Sequence, residues 1–108
     1  MMLLSIGCLA DDVSQRKYDH YFLEAMVQRQ KGNNDAAFDL LRHCLEIRPD
    51  AAEAHYFIAE YYGGLKNDSL SVYHIQRAAA LHPDNATYLE TLAQVYIRQQ
   101  KFPEAIDL

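Results

Sequence analysis

Gly32-Asn33-Asn34-Asp35-Ala36-Ala37-Phe38-Asp39-Leu40-Leu41-Arg42-His43-Cys44-Leu45-Glu46-Ile47-Arg48-Pro49 is the most informative stretch of the chain, because its ending is restated further on. Pro49-Asp50 returns as Pro83-Asp84. An interval of about 34 residues marks stacked helical hairpins, each too small to bury its apolar face alone. Within the stretch, Gly32-Asn33-Asn34 is a break: glycine suits the end of one helix and Asn34 the cap of the next. Ala36, Ala37, Leu40, Leu41, Cys44, Leu45 and Ile47 then recur at helical spacing, and the helix must stop at Arg48. A residue before proline is pushed out of the α region.

Outward from this segment the same grammar holds. Upstream, Tyr18, Tyr21, Phe22, Ala25 and Met26 place a helix over Lys17 to Lys31. Downstream, Asp50 and Glu53 stand three apart as a capping-box-like opening. The helix they open carries Ala54, Phe57, Ile58, Tyr61 and Tyr62 and is expected to end at Gly63-Gly64. Leu70, Val72, Ile75, Ala78, Ala79 and Leu81 form the next, from about Asp68 to the residues before Pro83. Asp84 or Asn85 starts a third cycle with Leu89, Leu92, Ala93, Tyr96 and Ile97. Pro103 falls at the start of a sixth helix, where its missing N–H does no harm.

Superposition at the interval between the two prolines tests the period. Leu41 falls on Ile75, Cys44 on Ala78, Ile47 on Leu81, and Pro49 on Pro83. Ile58 falls on Leu92, Ala59 on Ala93, Tyr62 on Tyr96, and Ala37, Ser71 and Ala105 form a column of small residues. Small residues on facing positions let helices approach, and large ones fill the space between them.

With those columns in phase, Lys17 to Leu108 resembles the tetratricopeptide repeat family. Ile58-Ala59, Tyr62, Ala78 and Pro83 match its pattern, as do Leu92-Ala93, Tyr96, Phe102 and Ala105. In the first cycle Gly32, Ala37 and Pro49 match, but Glu24 and Gln28 stand where Leu and Tyr are usual, a departure that suits an end repeat. The resemblance implies an all-α, right-handed α-solenoid of antiparallel hairpins, about two and a half repeats at 18–51, 52–85 and 86–108. It also implies a non-enzymatic interaction scaffold, here the N-terminal fragment of a longer array. By similarity to the family the first helices of successive hairpins line a concave surface. The residues expected to meet a partner there are Phe22, Met26, Arg29, Tyr56, Glu60, Glu90, Gln94 and Arg98. Phe22, Met26 and Tyr56 would form an apolar patch rimmed by Glu53, Glu60 and Glu90, suited to a peptide segment of extended or helical form. The chaperone-tail clamp of the family is not expected, since Phe22, Met26, Phe57, Thr87 and Thr91 replace its cations and amides. The alternative is a structural spacer or self-assembly element, with self-association through an uncapped repeat edge.

Composition narrows the function further. A net charge of −5 argues against nucleic acid as a partner. No run of apolar residues is long enough for a transmembrane helix. Residues 1–10, Met-Met-Leu-Leu-Ser-Ile-Gly-Cys-Leu-Ala, read as an apolar N-terminal segment ahead of a repeat domain at 11–108. They look like a signal-peptide remnant, with Cys8 and Ala10 small enough for a cleavage point or Cys8 open to lipidation. Export to the periplasm or cell envelope follows from that reading; the alternative is a cytoplasmic chain whose first residues form an apolar helix packed on the first repeat.

No catalytic, cofactor or metal motif is legible. His20, His43, His55, His74 and His82 show neither a His-Glu-x-x-His nor a paired-cysteine spacing, and read as surface or capping residues. Cys44 lies in a column of small residues and reads as packing. Gly63-Gly64 lacks the Lys-Ser or Lys-Thr that a phosphate loop needs.

Overall fold

A computed structural model describes the backbone of residues 2–108 and the side chains from Asp12 onward. Among these residues the elements are six helices and no strand: α1 (Met2–Gln30), α2 (Asn34–Ile47), α3 (Ala52–Gly64), α4 (Asp68–Leu81), α5 (Ala86–Arg98) and α6 (Phe102–Ile106). α1 packs with α2, α3 with α4, and α5 with both α4 and α6. The backbone divides into two compact units, one ending at Pro49 and one spanning Asp50–Leu108. The fold class is therefore all-α, built from helical hairpins. No helix among the described residues is long and apolar enough to cross a membrane.

In the first unit Tyr18 and Ala25 of α1 are buried with Ala37, Leu41 and Cys44 of α2. Tyr18 stacks on Phe22 with ring centroids 5.8 Å apart. The Arg48 guanidinium lies over the Tyr18 ring at 5.4 Å, and its Nη1 also donates to Gln15 Oε1. α1 starts well before the expected Lys17. Between Cys8 and Gln30 there is no glycine or proline to stop it, and polar side chains bond along its axis: Gln15 Nε2 donates to Asp19 Oδ1 at 2.8 Å. The signal-peptide and Cys8 readings concern residues 1–10, whose side chains lie outside those described.

In the second unit Ala52, Ala59, Ile75, Ala78, Ala79, Tyr88 and Leu92 form one core, with Tyr56, Leu81, Leu89 and Tyr96 packed against it. Ile58 and Ile75 are fully enclosed; burial of such a side chain is worth about 1.5–3 kcal/mol. The alanines let α3 and α4 close on each other. Ser71 belongs to the same column of small residues and uses the closeness differently: its Oγ donates to the Ala59 carbonyl at 2.9 Å.

The helix ends repeat with the period. Gly32, Lys66 and Gln100 stand one period apart and all adopt left-handed backbone, with φ of 81°, 60° and 60°. Each sits in the same pair of closing hydrogen bonds. Asn33 N–H reaches Gln28 O at 2.9 Å, Asn67 N–H reaches Tyr62 O at 2.9 Å, and Lys101 N–H reaches Tyr96 O at 2.8 Å. The left-handed residue itself bonds three residues back, to Arg29, Gly63 and Ile97 respectively. This is the two-bond closure of a Schellman turn.

α3 ends at Gly64, as the glycine pair suggests, although both glycines are helical and the left-handed turn falls on Lys66. Two local expectations are corrected. Asn34 lies inside α2 and does not cap it. Asn33 holds the cap position without a capping bond, its amide instead donating to Gln28 Oε1 at 2.8 Å. Asp50 and Glu53 form no capping box either, because Ala51 occupies the N-cap. The caps that use side chains are Asn67, accepting from Leu70 N–H at 3.2 Å, and Asn85, accepting from Tyr88 N–H at 3.1 Å.

Candidate protein-binding groove

Two helices of the second unit present one face each to a groove of about 570 Å³. From α3 come Tyr56, Ala59, Glu60, Gly63 and Gly64, and from α5 come Thr91, Gln94, Val95 and Arg98; Ser71 of α4 completes the lining. The spacing explains the selection. Residues three, four and seven apart share one helix face, so Tyr56, Glu60 and Gly63 form one wall. Thr91, Gln94 and Arg98 form the other. Ala59, Ser71 and Val95 are buried and make the floor.

The polar groups on the walls are set in place by short bonds. Tyr56 donates its hydroxyl to Glu60 Oε1 at 2.8 Å, which fixes the carboxylate over the groove. The Tyr56 ring leans on Tyr88 at 5.3 Å and on Phe57 at 5.2 Å. Burial raises the Tyr88 hydroxyl above its ordinary pKa, and the Glu53 carboxylate adds to the effect. Thr91 Oγ1 donates to the Thr87 carbonyl at 2.8 Å. Arg98 Nη2 stands 3.5 Å from Asp68 Oδ1, and both side chains are well exposed. Such a pair contributes about 0–1 kcal/mol and exchanges partners readily. Gly63 lies beneath it: a Cβ there would meet Arg98 Nη2 at 3.4 Å and Ser71 Oγ at 3.5 Å, ordinary contact distances.

Of the residues expected from the sequence to meet a partner, Tyr56, Glu60, Gln94 and Arg98 come together on this groove. Glu90 is exposed on α5 but is not among the lining residues, since α5 turns its Thr91–Gln94 side toward α3. Phe22, Met26 and Arg29 lie on α1 in the first unit, each half-buried. The expected apolar patch differs in the second unit: the groove pairs one aromatic, Tyr56, with small and polar residues. Thr91 and Ser71 line the groove and are not among the residues expected there. Thr91 is findable, being three residues before Gln94 on the same face; Ser71 sits in a column that reads as packing.

The histidines also differ from expectation. His55 is buried, and its Nδ1 lies 3.0 Å from His74 Nδ1 across the α3–α4 hairpin. His74 is half-buried, with the Tyr62 ring stacked on it at 5.6 Å. Burial, assisted by the neighbouring His55, lowers the His74 pKa from 6.5 to about 4. Nothing in their separation along the chain signals this pair; only the antiparallel return of α4 creates it. Cys44 is a buried thiol, with its Sγ 4.0 Å from the Tyr18 carbonyl. Among the described residues no three His, Cys, Asp or Glu side chains gather where a metal ion could sit.

Helical hairpins repeating at a fixed period, with a groove between the first helices of neighbouring hairpins, define a helical-repeat module of the kind that holds other proteins. A family profile described as tetratricopeptide repeat matches residues 18–51. Tetratricopeptide repeat protein 21B of Mus musculus is 46% identical over 41 residues, covering 38% of this chain and 3% of that protein. The crystal structure of MamA superposes with a TM-score of 0.75 at 14% identity, covering 83% of this chain and 53% of the other. Pseudomonas aeruginosa pilF superposes with a TM-score of 0.72 at 27% identity, covering 85% and 41%. This chain spans well under two thirds of each of these proteins. Residues 18–51 thus match a tetratricopeptide repeat, and the chain has the helical-hairpin fold of these solved structures, a fold that implies a protein–protein interaction module.

Proposed function

We propose that this chain is a non-catalytic scaffold whose α3–α5 groove seats an extended segment of a partner protein. The observation that carries the reading is the convergence of Tyr56, Glu60, Gln94 and Arg98 on one groove. Glu60 offers a carboxylate to a basic side chain of the segment. Arg98 offers a guanidinium that an acidic side chain can take from Asp68. Gln94 and Thr91 offer polar groups to the segment's backbone, and Tyr56 a flat aromatic anchor. Phe22, Met26 and Arg29 hold the equivalent positions one period earlier, on α1 of the first unit. The excess of carboxylates favours a protein over nucleic acid.

A photo-crosslinking side chain placed at Gln94 of the full chain, exposed to source-cell lysate, tests the reading. The expected result is a discrete adduct that disappears in a Glu60→Lys, Arg98→Glu double variant that still folds. The same probe at Arg77, exposed on α4, should capture nothing specific. Capture at Arg77 and not at Gln94 refutes the groove.

Self-association is a second reading, favoured by the exposure of Ile97, Phe102, Ile106 and Leu108 on α5 and beyond it. Patches of that kind mark contact sites. Sedimentation velocity decides: a concentration-dependent shift abolished by Phe102→Glu with Ile106→Glu supports assembly, and a monomer at every concentration rejects it.

A further inference from the structure

The His55–His74 pair does something that packing alone does not ask for. Two imidazoles from opposite arms of a hairpin aim the same ring nitrogen at each other, Nδ1 to Nδ1, at 3.0 Å. The ring centroids are 5.2 Å apart and the planes are tilted by 32°. Tyr62 stacks on His74 from α3, and Tyr73 meets its edge at 5.0 Å from α4. With both rings neutral, one Nδ1 carries the shared hydrogen and the other accepts it.

The same spacing suits a metal ion. Two imidazole nitrogens bound side by side to one ion, at about 2.0–2.1 Å each, stand roughly 2.9–3.4 Å apart for right-angled to tetrahedral geometry. The pair already has that bite. We propose that His55 and His74 form a two-imidazole clip for a divalent transition-metal ion of the class that prefers nitrogen ligands, closing the α3–α4 hairpin. Water completes the shell from the half-exposed His74 side, because no third His, Cys, Asp or Glu joins the pair among the described residues. When the ion enters, the Nδ1 hydrogen moves through solvent to Nε2 of its own ring, so two neutral lone pairs face the metal and no proton is lost. Metal ligands must be free of protons.

Thermal melts of the full chain, freed of metal and then titrated with zinc or copper(II), test the clip. Magnesium, which prefers oxygen ligands, serves as the control. The expected result is a Tm that rises by several degrees with zinc and further with copper, following the usual order of divalent affinities. Chelator should reverse the rise and magnesium should give none. His55→Gln and His74→Gln should each abolish the response, whereas His82→Gln, at the exposed end of α4, should keep it. Because a variant of buried His55 can lose its fold, the unmodified chain gives a second readout. In its NMR spectrum the ring protons of His55 and His74 should shift with zinc ahead of those of His20, His43 and His82. No Tm rise, a rise kept in folded His74→Gln, or ring shifts led by the exposed histidines would each overturn the clip.

Discussion

Lys66 and Gln100 should be better as glycines, although both are polar and exposed. Each has φ of 60° at the closing turn of α3 and α5, the position that Gly32 fills after α1. A residue with a Cβ in left-handed backbone costs roughly 1–2 kcal/mol through its clash with the following carbonyl. Glycine removes that cost but adds about 0.5–1 kcal/mol of chain entropy to the unfolded state. The difference leaves Lys66→Gly and Gln100→Gly each stabilising by about 0.5–1 kcal/mol, or a Tm rise of roughly 2–8 °C. Gly32→Ala should move the other way by a similar amount; no atom within 4 Å of the new Cβ would complicate the reading. Gly64 provides the internal control. It is helical and equally open, so Gly64→Ala should stabilise by about 0.5–1 kcal/mol. Urea and thermal unfolding followed by helical circular dichroism would measure all four variants against the parent. If Lys66→Gly destabilises, as glycine inside a helix does, the turn is not where the period puts it. Opposite signs for Gly32→Ala and Gly64→Ala, which are the same substitution, are the sharpest part of the test.

Two further perturbations follow from the second unit. The depressed His74 pKa makes stability complete above pH 6.5 and progressively lost as pH falls from 6.5 toward about 4, since the unfolded chain then binds the extra proton. The ceiling set by the shift is about 3 kcal/mol, and half-exposure cuts the expected loss to about 1–2 kcal/mol. Urea titrations at pH 7 and pH 4.5 should show that loss and a smaller one in His74→Gln; an equal loss in both would place the acid sensitivity elsewhere. Ala78→Leu, with no free space around its 0% exposed side chain, should cost about 1–3 kcal/mol by forcing α3 and α4 apart. An unchanged melting temperature would mean that the helices do not meet at this column.

The sequence carries the period, and the period carries most of the fold. Pro49 and Pro83, the paired columns Leu41–Ile75 and Cys44–Ala78, and the tyrosines Tyr62 and Tyr96 are enough to place the hairpins and the interior. The errors have a common origin. Asp50 and Glu53 look like a capping box because the spacing fits; the N-cap falls one residue later, on Ala51. The start of α1 is not legible because the apolar periodicity begins only near Tyr18, whereas a helix continues until something stops it. Pairings between helices, such as His55 with His74 within a hairpin or Arg98 with Asp68 between neighbouring repeats, cannot be read from spacing along one helix at all.

Within the second unit, scaffold and groove divide the helix faces between them, which explains why four groove residues are legible while the chemistry of the groove is not. Ala59, Ser71 and Ala78 must stay small because helices meet there, so their identities follow from the period. Glu60, Gly63 and Gly64 have Gln94, Ile97 and Arg98 as their counterparts one repeat on, and no packing rule constrains them to agree. The period therefore predicts where such residues stand and says nothing of what they are. The exchange of Gly64 for Arg98 illustrates the consequence. The third repeat can extend a guanidinium toward Asp68 and across Gly63 because the second repeat has no side chain there to resist it. Chemistry specific to one partner can be written into these positions without disturbing the columns that hold the hairpins together.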